Sequence, residues 1–93
     1  MLEPLPSAEV RKLKAAAQRL KASVHVGKAG LSPQFLAAVS QELARHELIK
    51  LKFDDFKEER KELSKRIAKE TSSHLIWMVG HVAVFYRKRA AES

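Results

Sequence analysis

One lysine set between two glycines, four histidines and a pair of adjacent aspartates are the residues whose types and spacing bear on chemistry. Gly27-Lys28-Ala29-Gly30 follows an alternating Val24-His25-Val26 segment that reads as a half-buried strand. Ser32-Pro33 comes directly after, an N-cap residue with proline at the first helical position. A glycine carries no Cβ, so such a turn bends sharply and lets another chain come close. The amides of Gly27–Gly30 and Leu31 are thereby delivered to a helix N-terminus, where free N–H groups and the helix dipole favour an anion. Lys28 adds a full positive charge. The motif is a phosphate seat, or else a steric strand-to-helix turn; two glycines alone serve either purpose.

The remaining reactive residue types form no catalytic pattern. His25, His46, His74 and His81 fall in neither HxxxH nor HExxH spacing, and the glycine loop lacks the GK[ST] ending of a P-loop. There is no cysteine, which excludes disulfides, zinc–thiolate sites and thiol nucleophiles. Asp54-Asp55 has the position of a helix cap, with Glu58 three residues on in capping-box spacing. No catalytic residue, metal site or cofactor is expected. A small RNA-processing enzyme is the weakest reading, and a basic adaptor that binds a protein partner ranks above it.

The elements that must position the loop follow from periodicity. A helix from Ser7 to about Lys21 carries Val10, Leu13, Ala17 and Leu20 as its apolar stripe. Arg11, Lys14, Gln18 and Lys21 share another face, and only Glu9 opposes the basic residues of this helix. A second helix runs from Ser32 to about His46 and buries Leu36, Val39 and Leu43. The strand Glu47–Phe53 turns Ile49, Leu51 and Phe53 to one side and Lys50 and Lys52 to the other. Those two lysines contact a polyanion or simply keep an exposed sheet face soluble. Asp55–Thr71 reads as a third helix anchored by Leu63 and Ile67. Two apolar runs about Gly80-His81 read as a hairpin with a type II′ turn, pairing Trp77 with Val84 and His74 with Arg87. Both hairpin strands look central, covered on two faces, with Trp77, Phe85 and Tyr86 in the core. The order α-β-α-β-α-β-β predicts an α/β (α+β) domain over residues 7–89, with a disordered lead-in at 1–6 and a tail at 90–93. Two crossovers in one direction put helices two and three on the same face of the sheet.

Charge indicates the partner. The chain has 18 Lys and Arg against 11 Asp and Glu, a net +7. From Ser7 to Lys52 there are nine basic residues and three acidic ones, whereas Asp54 to Glu70 holds six of each. Arg87, Lys88 and Arg89 form a smaller basic cluster. A domain this basic suits nucleic acid. No apolar run approaches the roughly 18 residues that span a bilayer, so no membrane association and a cytoplasmic location are expected.

The segment VHVGKAGLSPQFLAAVSQELARHELIKLKF, with the later VGHVAVFYR, resembles the CRM domain (chloroplast RNA splicing and ribosome maturation), whose stand-alone bacterial members are called YhbY-like. The resemblance covers about Lys12–Arg87. It implies a four-stranded mixed sheet similar to the C-terminal domain of translation initiation factor three, and a GxxG loop like that of KH domains, which clamp a nucleic-acid backbone. It implies RNA binding, with ribosomal RNA in precursor large subunits as the partner of a single-domain protein; a monomer is expected. His81 and Ala22-Ser23 depart from the residues common in relatives. The expected RNA-binding set is Gly27, Lys28, Ala29, Gly30 and Leu31 in the loop, Arg11, Lys14 and Lys21 from the first helix, Lys50 and Lys52 from the second strand, and Arg87 and Lys88.

Overall fold

The computed structural model describes residues 4–88, in the order α1 (Ser7–Ala17), β1 (Val24–Val26), α2 (Pro33–His46), β2 (Leu48–Phe53), α3 (Arg60–Thr71), β3 (His74–Val79) and β4 (Val82–Tyr86). The whole expected tail at 90–93, Arg89, and residues 1–3 of the lead-in lie outside the described residues. The strands form one mixed sheet in the order β1-β2-β4-β3, with β1 parallel to β2 and β4 antiparallel to both of its neighbours. Both crossovers step across the sheet in one direction, and α2 and α3 pack together on one face. On β2 the alternation holds as read. Ile49, Leu51 and Phe53 are buried under those helices with Val26, Val39, Leu43, Ile67 and Phe85. The opposite face is covered by α1, which packs across β2, β3 and β4.

Local chemistry accounts for several boundaries. Ser32 caps α2, its Oγ accepting the Phe35 N–H at 3.1 Å, and Pro33 opens the helix. Gly80 takes φ +58 in the hairpin turn and His81 does not share it, which fits glycine at the first central position of a type II′ turn.

Three expectations need correction. The first helix ends at Ala17 rather than near Lys21, because Arg19 and Leu20 donate to the carbonyls of Ala16 and Ala17 in tight turns. Lys50 then draws the chain down to the sheet, its Nζ donating to the Leu20 carbonyl at 2.8 Å while its own carbonyl accepts from Ser23. The third helix starts at Arg60, not Asp55. The Asp54 and Asp55 amides both donate to the Val26 carbonyl, and Phe56 takes φ +57, so these residues close off β2 instead of capping a helix. Lastly, β3 is an edge strand, half-buried along most of its length, and only β4 is central. A bulge between Leu75 and Trp77 keeps the Trp77–Val84 pair but sets His74 opposite Tyr86 instead of Arg87. Phe85 is fully buried, whereas Trp77 and Tyr86 are only half-buried.

One core position holds an unpaired polar atom. Ser64 of α3 is fully buried and its Oγ has no hydrogen-bond partner. A buried hydroxyl without a partner costs about 1–3 kcal/mol. Ser64→Ala should therefore raise stability by about 1 kcal/mol, read as a higher denaturant midpoint at unchanged slope. A lower midpoint would show that the hydroxyl is satisfied in solution.

Candidate nucleic-acid interface

The glycine loop lies at the end of the sheet where β1 and β2 terminate, beside the Gly80-His81 turn, whose His81 carbonyl accepts the Phe53 amide. Its single internal backbone bond among the described residues runs from the Gly30 N–H to the Gly27 carbonyl at 3.0 Å. This is a correction: the Gly30 amide, expected to face an anion, is used within the turn. Lys28 and Ala29 are left exposed at the tip, while Leu31 packs its side chain against the core.

The two glycines serve different ends. Gly30 sits at φ +67, where side chains are strained, and a Cβ there would lie 3.4 Å from the Phe56 ring. Gly27 has neither constraint. Its φ lies outside the left-handed region, and a Cβ would meet nothing within 4 Å. The fold does not require glycine at position 27.

The expected basic set divides over two faces. Arg11 and Lys14 stand on α1, and Lys21 has left the helix for the connection to β1. Lys14 holds its Nζ 5.6 Å from the Trp77 ring centroid, a cation–π contact. Lys50 and Lys52 share this side of the sheet, Lys50 tied to Leu20 and Lys52 exposed. Val79, Val82 and Val84 line a cavity here with Gln18, Lys50 and Trp77. The loop instead borders α3. Ala29, Gly30 and Leu31 form one bank of an open groove, and Phe56, Glu59, Leu63 and Arg66 form the other. The helix beside the loop is therefore the mixed-charge α3, not the basic α1.

Arg87 is reassigned outright. Its guanidinium is half-buried and donates to Ser40 Oγ at 3.0 Å, to the Ser40 carbonyl at 2.7 Å and to the Thr71 carbonyl at 2.9 Å. It clamps the end of β4 to α2 and α3 and has little left to offer a phosphate. Lys88 beside it is exposed.

The histidines are scattered. The His25 ring Nδ1–H donates to Asp54 Oδ2 at 3.0 Å, and His46 lies 3.8 Å from Glu42. His74 stacks on Tyr86, with ring centroids 6.3 Å apart. Partial burial, then the charges of Glu47 and Glu9, hold the Tyr86 hydroxyl above its usual pKa. Among the described residues no group of three or more His, Cys, Asp or Glu side chains could hold a metal ion, and no helix is long and apolar enough to cross a membrane.

Sequence reasoning passed over three residues. Arg60 donates from Nε to the Gly80 carbonyl at 2.8 Å, latching α3 to the hairpin turn. Phe56 and Arg66 flank the groove beside the loop. A lone aromatic inside the charged run DDFKEER was the available signal for Phe56. Nothing in the periodicity of α3 singles out Arg66.

Fold and surface together define a small mixed-sheet module that presents a lysine-tipped glycine turn and an excess of cations. The chain belongs to the CRS1/YhbY (CRM) domain family, whose model matches residues 5–87. It is 37% identical over 76 residues to an RNA-binding protein of Haemophilus influenzae, covering 81% of this chain and 77% of that one. Its fold matches the solution structure of a Staphylococcus aureus hypothetical protein described as a candidate RNA-binding protein. That match has a TM-score of 0.78 and 25% identity, and covers 97% of this chain and 95% of the other.

Proposed function

We propose that this protein is a non-catalytic RNA-binding module that holds the sugar–phosphate backbone at the Gly27–Gly30 turn. The observation that carries this reading is Gly27, a glycine the fold does not require, set beside an exposed lysine. Open space over Gly27 admits a backbone that any side chain would hinder. Lys28 supplies charge at the contact. Arg11, Lys14, Lys21, Lys52 and Lys88 extend the positive surface, with Lys50 contributing from its tethered position. The names of the Haemophilus and Staphylococcus relatives support RNA as the polyanion. The family resemblance supports the finer reading, a protein that joins precursor large ribosomal subunits during assembly; the proposal takes it as a monomer in the cytoplasm.

Two measurements test it. With roughly four to six phosphates neutralised, log affinity for single-stranded RNA should fall against log salt with a slope of about −3 to −4. A slope near zero removes the electrostatic basis. Gradient sedimentation of a cell extract should place the protein with precursor large subunits and release it on nuclease treatment. Complexes that survive nuclease would favour the protein-binding adaptor instead.

A further inference from the structure

Phe56 is 41% exposed, and its backbone sits at φ +57, a conformation that bulky side chains rarely adopt. A left-handed non-glycine residue is strained, and such strain gathers at ligand clamps. The local fold would be relieved by glycine, asparagine or aspartate at this position, yet an aromatic stands there. Its ring stands beside Gly30, where an added Cβ would lie in van der Waals contact with ring atoms at 3.4 and 3.6 Å. Strain, exposure and contact with the loop coincide on one residue.

Resting on the RNA-binding reading, we propose that the groove between the glycine turn and α3 is a nucleobase subsite, with Phe56 as its stacking platform. The occupant is a single unpaired base of the RNA whose phosphate lies at Lys28. Three observations favour a base over a protein side chain. The groove is continuous with the turn, because Ala29, Gly30 and Leu31 line it directly after Lys28. Its lining is largely apolar, with Leu31 on one bank and Leu63 and the Phe56 ring on the other, and suits a flat π surface. The same lining includes the exposed Arg66 and Glu59. The guanidinium reaches for the next phosphate or a base oxygen, and the carboxylate accepts from an exocyclic amine such as cytosine N4. A stacked base must be splayed from its neighbours, so the subsite takes single-stranded RNA and excludes a continuous A-form duplex. Because every base has a π face, stacking tolerates sequence.

The test measures binding of the full chain to short single-stranded oligo(C) and oligo(U), and to an RNA duplex, for wild type, Phe56→Gly and Phe56→Trp. Stacking is lost in Phe56→Gly, and single-strand affinity should fall about tenfold. The salt slope should stay unchanged, since no charge is removed. Its unfolding midpoint should hold or rise, because glycine releases the left-handed strain. Phe56→Trp should keep or strengthen binding. Duplex affinity should be the same for all three proteins. Unchanged single-strand affinity in Phe56→Gly, or equal losses on duplex and single strand, would overturn the subsite. A flat salt slope in the wild type would instead overturn the phosphate reading on which it rests.

Discussion

Gly27→Asp combined with Lys28→Glu should lower affinity for single-stranded RNA by about a hundredfold or more while leaving the protein as stable as before. The size follows from counting charges at the proposed contact. Replacing Lys28 by glutamate removes one phosphate partner and adds repulsion, and the aspartate adds a second negative charge and bulk where the backbone would pass. Losing one phosphate contact changes affinity by roughly tenfold at moderate salt and flattens the salt slope by about 0.7–1. The added like charges account for the rest. Stability should not move, because Lys28 is exposed and a Cβ at position 27 meets open space in an ordinary backbone conformation. Gly30 offers no such separation: any side chain there is strained at φ +67 and lies against Phe56, so folding and binding would change together. A double variant that folds with wild-type midpoint and binds RNA as tightly as before would remove the turn from the interface.

Arg87→Ala should show the opposite pattern, a large loss of stability with RNA binding by the folded protein intact. The guanidinium supplies three hydrogen bonds to Ser40 and Thr71, two of them to main-chain carbonyls, one in the middle of α2 and one at the end of α3. Hydrogen bonds to a charged group contribute about 1.5–3 kcal/mol, and acceptors left behind add a penalty when water cannot reach them. Because Arg87 is only half-buried, water repairs part of the damage. A destabilisation of about 2–4 kcal/mol is expected, read as the shift in denaturant midpoint. Arg87→Lys should recover only a fraction of it, since one ammonium cannot span carbonyls on two helices as a planar fork does. If Arg87 served RNA instead, Arg87→Ala would flatten the salt slope and leave the midpoint in place.

Much of the architecture was written in short-range patterns. Ile49, Leu51 and Phe53 alternate with lysines because one face of β2 must be dry and the other wet. Ser32-Pro33 starts a helix through a side-chain cap and a fixed φ, both properties of neighbours in the chain. The order of elements followed from such signals; that both crossovers step in one direction, which sets α2 and α3 on a shared face, was decided by the strand order of the sheet. The glycine turn was equally legible, down to Lys28 at its exposed tip.

Tertiary contacts decided the rest, because the partners lie far apart in sequence. Arg87 reads as part of a terminal basic cluster until Ser40, 47 residues away, is found beside it. Lys50 looks like one of two solvent-facing lysines until α1 brings the Leu20 carbonyl to it. The capping-box spacing at Asp55 was overruled by the Val26 carbonyl, which takes both aspartate amides and prevents the helix from starting there. Apolar composition could not tell the edge strand β3 from the central β4, since α1 half-covers an edge that would otherwise have to be polar. Phe56 carries no pattern of its own; its place over Gly30 depends on where the chain leaves β2 and how it turns back into α3. Residue types and local spacing thus determined a basic α/β module with a lysine-tipped glycine turn. Which cations remain free, and which aromatic stands beside that turn, was settled only by packing between elements distant in the chain.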